Sequence, residues 1–207
     1  MQFVLFVVAI AFWCGAAVAE QSPEFTIEGT VLRFDTVDIE TTEELSRDDL
    51  GTLLGLLRTN PEIQTLQLDN RGGNIFAALR IADVIIDFGL DTEVDGDCVS
   101  ACTVLLLAGE RRTMTRGSRV GFHERNWSAK AISSYYDRNR NDEGWTTVFD
   151  MASQVYVETQ QEAYEGLIYM VERGVDPSFA IETLQDRGDG VWYPRRKELL
   201  QAGVLTE

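Results

Sequence analysis

Histidine, lysine and cysteine are scarce in this sequence, and each scarcity narrows the chemistry that the protein can perform. The 207 residues include one histidine, His123, two lysines, Lys130 and Lys197, and three cysteines. One histidine with two cysteines four residues apart, Cys98 and Cys102, does not supply the ligands of a structural zinc site. So few cysteines also argue against a small scaffold held by many disulfides. We therefore expect no metal and no other cofactor.

Positive charge is scarce as well. The chain has 34 acidic and 18 basic residues, which gives a formal net charge of −16. A surface this acidic repels nucleic acid and anionic lipid, so we expect neither as a partner. The sequence also lacks the Gly-x-x-x-x-Gly-Lys-[Ser/Thr] pattern of a phosphate-binding loop. Any ATP-driven step would therefore belong to another protein.

The N-terminal residues have the pattern of an export signal. An apolar run from Phe3 to Trp13 leads into Ala17-Val18-Ala19, which fits an A-x-A cleavage site. No basic residue precedes the run, so an uncleaved membrane anchor is the alternative. We predict a signal peptide over residues 1–19 and a single secreted or periplasmic domain over residues 20–207, long enough to bury a sizeable core.

Strand-like and helix-like segments alternate through that domain, and residues 20–30 form only a short lead-in. This order predicts an α/β fold with crossover connections. The polar stretch 125–147 is predicted as a loop or a mobile helix, and short helices are expected after Asp176-Pro177 and near the C-terminus. The segment 100–109 is apolar all round, so it is either a buried helix or a strand, and its small residues and final glycine favour a helix. Apolar patterns elsewhere predict strands at 31–39, 63–69, 91–96, 111–115 and 118–124, and helices at 50–58, 74–89 and 148–174.

Three short motifs carry residues suited to acyl transfer: LDNRGGN (68–74), CVSACT (98–103) and VGFH (120–123). A serine at a helix start, Ser100, is followed by N–H groups that are free to bind an oxyanion. The Gly72-Gly73 turn allows close approach of backbone to a carbonyl group, and His123 could accept the serine proton. Each residue also has a structural interpretation: Ser100 as a helix N-cap, His123 as a core histidine, and the glycines as ordinary turn residues.

Taken together, these motifs resemble the ClpP branch of the ClpP/crotonase superfamily. Within it, they are most similar to a group of periplasmic ClpP-like proteins with a Cys-x-Ser-Ala-Cys signature. The resemblance covers residues 63–124 well and the C-terminal part loosely. It implies an α/β spiral of ββα units with a C-terminal helical segment.

The resemblance assigns roles to individual positions. It implies that Ser100 is the nucleophile, that His123 is the base, and that Ala101 with Gly72 or Gly73 supplies the oxyanion-binding N–H groups. The sequence departs from the ClpP pattern at Arg71, where proline is usual. The third triad member also has no clear match, and Asp186 and Asp189 are both candidates by spacing.

The function implied by the resemblance is that of an ATP-independent serine hydrolase, specifically a peptidase acting on peptides or unfolded protein. Assembly into a homo-oligomer is implied in the same way. The alternative is a catalytically silent ClpP-like binding or assembly module, suggested by the missing acid and by Arg71. Acyl-CoA chemistry is disfavoured, because it does not need a serine at the helix start. A serine–lysine mechanism is disfavoured because neither lysine lies in a recognisable motif.

Cys98 and Cys102 flank Ser100. We expect them to be two packed thiols that fit tightly around the serine. A disulfide is the alternative, since residues four apart approach the required distance, but the geometry across a strand-to-helix turn is demanding.

Overall fold

The structure, a computed structural model, describes residues 23–37, 44–124, 128–188 and 190–207. The predicted signal peptide and Asp189 lie outside these ranges. The elements, in chain order, are β1 (Phe25–Glu28), β2 (Val31–Asp35), α1 (Asp48–Thr59), β3 (Thr65–Asn70), α2 (Ile75–Asp87), β4 (Asp91–Val99), α3 (Cys102–Ala108), β5 (Arg112–Met114), β6 (Arg119–Gly121), α4 (Ala129–Asn139), α5 (Val148–Glu172), α6 (Pro177–Glu182) and α7 (Arg196–Gln201).

The strands form one sheet that positions the end of β4. β1 pairs antiparallel with β2, and β2, β3 and β4 then lie parallel in that order. β4 is long enough to pair with two short parallel strands in succession, first with β5 and then with β6. Since β4 and β6 run in the same direction, their last residues, Val99 and Gly121, lie side by side. The chain that follows each strand therefore leaves from the same edge of the sheet.

The core follows from the alternation of side chains along the strands. Leu66 and Leu68 of β3 are fully buried, while the residues between them are half-buried. α2 buries the stripe Ala77, Ala78, Ile81, Ala82 and Ile85, whose spacing is helical. α3 is buried all round, so it forms part of the core itself.

The C-terminal end of α3 is satisfied by two arginines from elsewhere in the chain. α3 has no basic residue in its own last turn. Arg173 instead donates to the carbonyl oxygens of Leu107 and Ala108, both at 2.8 Å. Arg112, which is buried, donates to the carbonyl oxygens of Arg173 (2.7 Å) and Gly203 (2.8 Å). Burial lowers the pKa of Arg112 from its ordinary value. These guanidinium groups compensate orphan carbonyls at the C-terminal end of a helix that is mostly buried.

The α/β class and most of the predicted elements are confirmed, and the differences have local causes. β1 falls in the stretch expected to be a lead-in, because its pairing with β2 was not visible in its own short sequence. α4 occupies part of the polar stretch 125–147, so the helical alternative applies there. α3 begins at Cys102 and not at Ser100, because Ser100 itself forms the turn.

α5 matches the predicted long helix, but it buries only Met151 completely. Its C-terminal part packs on the core through Leu167, Tyr169 and Met170, which are partly buried. In the ranges given above, no helix combines the length and apolarity needed to cross a bilayer.

Replacing Arg112 should destabilise the fold. In Arg112→Met the carbonyl oxygens of Arg173 and Gly203 lose their donor inside the protein. We expect the free energy of unfolding in urea to fall by about 3 kcal/mol. Arg112→Lys should recover only part of this loss, because an ammonium group does not reproduce the planar fork. If Arg112→Lys has the same free energy of unfolding as the wild type, the positive charge alone accounts for the stabilisation.

Candidate active site

Ser100 forms a sharp turn between β4 and α3. Its φ is +59°, a left-handed conformation that costs a non-glycine residue about 1 kcal/mol or more. Its N–H donates to the carbonyl oxygen of Gly121 (3.0 Å), which ties the turn to the end of β6. Its own carbonyl oxygen accepts from the N–H (3.0 Å) and the Oγ1 hydroxyl (2.7 Å) of Thr103. A half-buried serine on a strained strand-to-helix turn is the arrangement that presents a nucleophile in many hydrolases.

Cys98 and Cys102 are joined by a disulfide, which corrects the expectation of two packed thiols. The positive φ at Ser100 folds the chain back on itself, so the two Cα atoms lie only 5.3 Å apart, well within disulfide range. Both cysteines are completely buried. The turn that appeared to make a bridge difficult is therefore what brings the two residues together.

Gly72 packs directly against the Ser100 turn. A Cβ atom at Gly72 would lie 2.8 Å from both the Cβ of Ser100 and the carbonyl oxygen of Val99, so no larger residue fits without movement. The N–H of Gly72 donates to Oδ1 of the fully buried Asn70 at 2.7 Å. Asn70 was not among the residues that the sequence analysis identified as candidates. Its signal was an asparagine that ends a buried strand immediately before a glycine pair.

The hydrogen bond from Gly72 to Asn70 distinguishes the two candidate glycines. Because the Gly72 N–H is already engaged, it is not available to an oxyanion. In the described part of the chain, the N–H groups of Gly73 and Ala101 donate to no protein acceptor, and both residues line the same cavity. The geometry thus favours the N–H groups of Gly73 and Ala101 as the candidate oxyanion donors. Gly72, which has no side chain, allows the two backbone segments to pack against each other.

His123 follows β6 and lies at the same cavity as Ser100. Its Nδ1 is 2.6 Å from the carbonyl oxygen of Glu124. As a donor to that carbonyl, Nδ1 carries the proton and Nε2 is left as the basic nitrogen.

Asp186 does not line the cavity, and its Oδ1 accepts the N–H of Gly188 at 2.7 Å. Arg71, at the position usually taken by proline, is exposed and lies 3.6 Å from Asp97.

The cavity has a volume of about 520 Å³ and is mainly apolar. Tyr169 contributes its ring, and its hydroxyl donates to the carbonyl oxygen of Val104 at 2.8 Å. Burial raises the pKa of Tyr169, so its phenol stays protonated. Glu162 and Glu165 also line the cavity. The apolar part of the lining is supplied by Ile75, Phe76, Leu79, Val104, Leu107, Phe122, Leu167, Met170 and Leu184.

Comparison with known proteins defines the fold. No protein-family description matches the chain, and no curated protein matches it. Among solved structures it is similar to a protein from Streptomyces coelicolor A3(2) assigned as an enoyl-CoA hydratase. The superposition has a TM-score of 0.54 at 16% sequence identity and covers 96% of this chain and 71% of the other. At that identity the likeness concerns the fold alone, and the predicted crotonase-like α/β fold is confirmed.

Gly72→Ala should disturb the Ser100 turn. Gly117 is a matched control, because it has the same φ of +97° as Gly72 but no atom within 4 Å of an added Cβ. Both alanine variants suffer the same backbone strain, and only Gly72→Ala adds the contact with Ser100 and Val99. We expect Gly72→Ala to lose about 1–3 kcal/mol more stability than Gly117→Ala. Equal losses in the two variants, measured by thermal unfolding, would contradict the close approach.

Proposed function

We propose that this protein is an ATP-independent serine hydrolase, most specifically a peptidase, of the periplasmic ClpP-like type. The observation that supports this best is the convergence on one cavity of Ser100, His123 and the N–H groups of Gly73 and Ala101. A nucleophile, a base and two oxyanion donors are the minimum set for acyl transfer. The proposal of export rests on the sequence of residues 1–19.

In the proposed reaction the serine hydroxyl attacks the carbonyl carbon of a peptide bond. Nε2 of His123 accepts the hydroxyl proton, and the oxyanion is held by the N–H groups of Gly73 and Ala101. His123 then gives the proton to the leaving amine, and an acyl-Ser100 ester remains. Water attacks this ester with His123 again as the base, which releases the acid and restores Ser100.

A backbone carbonyl takes the place of the triad acid in this proposal. The carbonyl oxygen of Glu124 holds the Nδ1 proton of His123, as a carboxylate would, but it carries no full negative charge to stabilise the imidazolium. We therefore propose an enzyme slower than a complete triad hydrolase. Asp186 and Asp189 remain the candidates for a triad acid only if one of them replaces the Glu124 carbonyl as the acceptor of the Nδ1 proton.

The lining of the cavity favours a substrate that carries an apolar group. Its volume of about 520 Å³ and its aliphatic and aromatic lining suit a large apolar side chain next to the scissile bond. The alternative is a catalytically silent binding module, which would use the same cavity without reaction. A further hypothesis, hydration of an acyl-CoA, would use the oxyanion donors but would leave Ser100 without a role.

Reaction with a fluorophosphonate probe tests the proposal. We expect wild-type protein to be labelled once, at Ser100, and Ser100→Ala to lose all labelling. His123→Ala should slow labelling by about 100-fold or more, because the base is lost. Ser133→Ala, which removes an exposed serine of α4, is the matched control and should label normally. Absence of labelling in the wild type, with the cavity intact, would favour the silent module.

The role of the Glu124 carbonyl predicts that Asp186 is dispensable. Asp186→Asn removes the charge but keeps an oxygen for the Gly188 N–H, so the local turn should persist. We expect the labelling rate to stay within about 3-fold of wild type, against the far larger loss known when a true triad carboxylate becomes an amide. A loss of about 100-fold would identify Asp186 as the acid.

A further inference from the structure

We propose that the Cys98–Cys102 disulfide is a positioning device for Ser100: it holds the serine in the left-handed conformation in which its hydroxyl meets the cavity. This inference rests on the proposed function for its catalytic meaning. The control of the Ser100 backbone by the disulfide does not depend on whether the protein is a hydrolase.

The disulfide connects two elements that are themselves fixed. Cys98 lies in β4, where it is paired with Asn70 of β3 on one side and Val120 of β6 on the other. Cys102 is the first residue of α3, which is buried all round. The bond therefore sets the distance that Val99, Ser100 and Ala101 must span, and φ of Ser100 is the torsion that departs from ordinary values.

Apart from the packing of Gly72 against it, few other contacts in the described chain hold this turn. α3 has no side-chain cap at its N-terminus. The turn depends on the N–H of Ser100, bonded to Gly121, and on the carbonyl of Ser100, bonded to Thr103. The bond to Thr103 would also survive if Ser100 joined α3 as a helical residue, because it is a bond between residues three apart. In that relaxed state the Cβ of Ser100, and with it the hydroxyl, would move away from Gly72.

The positions of the cysteines support the same role. Nucleophile turns commonly carry glycine two residues before and two residues after the serine, where the chain is crowded. In this chain those two positions are Cys98 and Cys102, and a covalent bond replaces the small residues. The disulfide closes a loop of only five residues and so restricts the unfolded chain only slightly. We therefore expect it to contribute little to the overall stability of the fold.

The bond must form before folding is complete. In its formation the two thiols lose two protons and two electrons to a disulfide-bearing oxidant, whose own disulfide becomes two thiols. Both sulfur-bearing residues are fully buried in the folded protein, so exchange with an external thiol is blocked there. The active geometry would thus be acquired only where folding takes place under oxidising conditions.

The test compares the oxidised protein with Cys98→Ser/Cys102→Ser, which keeps the size of both side chains. Two readouts are taken well below the melting temperature of each protein. The first is the fluorophosphonate labelling rate, separated into a binding constant and a maximal rate. The second is the three-bond coupling between the amide and Hα protons of Ser100, which depends on φ.

We expect the maximal labelling rate to fall about 10- to 100-fold while the binding constant changes by less than about 3-fold. The coupling at Ser100 should change at the same time. Leu57→Ala, a buried substitution in α1 remote from the turn, is the control for general loss of stability and should alter neither readout. Wild-type protein refolded in reductant gives the same comparison without mutation if the double variant does not fold.

The outcomes separate the inference from the proposed function. An unchanged coupling and an unchanged maximal rate in the bridge-free protein would overturn the positioning role, while labelling of Ser100 would leave the hydrolase proposal standing. If the oxidised wild type is never labelled, the hydrolase proposal fails. The coupling alone then decides whether the bond controls the Ser100 backbone.

Discussion

The contact between the backbone of Gly72 and the turn at Ser100 is the constraint on which the candidate site depends. It joins the ends of two neighbouring parallel strands, β3 and β4, at a distance that excludes any side chain at position 72. Asn70 secures one side of this contact by accepting the Gly72 N–H, and the hydrogen bonds of Ser100 secure the other. Within the described ranges the N–H groups of Gly73 and Ala101 have no protein acceptor, and these neighbouring bonds fix the backbone around them.

β4 pairs with two different strands along its length, and this pairing determines where His123 lies. One half of this strand pairs with β5 and the other half with β6, so two short strands share one long edge. This division delivers Gly121 next to Val99, and His123 emerges two residues later beside the cavity. Backbone pairing thus brings His123 to the same cavity as Ser100, without any long loop that would have to be ordered separately.

Much of this could be predicted from local sequence. The buried alternation at 63–69 and the apolar stripe at 74–89 depend on residues close together in the chain. The grouping of Ser100, His123 and the glycine pair was expected from the resemblance of their motifs to the ClpP branch, since these residues are far apart in the chain. The engagement of the Gly72 N–H, which leaves Gly73 as the better candidate donor, could not be predicted, because it depends on a single hydrogen bond to Asn70. The disulfide was missed for a similar reason: its feasibility depends on φ of one residue, Ser100, and a sequence pattern does not report φ for a serine.

The capping of α3 by Arg173 and Arg112 has a consequence for the order of events during synthesis. The carbonyl groups of Leu107 and Ala108 are bonded by a guanidinium group 66 and 65 residues further along, and Arg112 is bonded to a carbonyl 91 residues away. A nascent chain that has just exposed Ser100 has none of these partners. On the proposed function, a chain that has emerged only as far as His123 would carry both candidate catalytic side chains and would still lack the partners of the helix behind Ser100, because those partners are synthesised later.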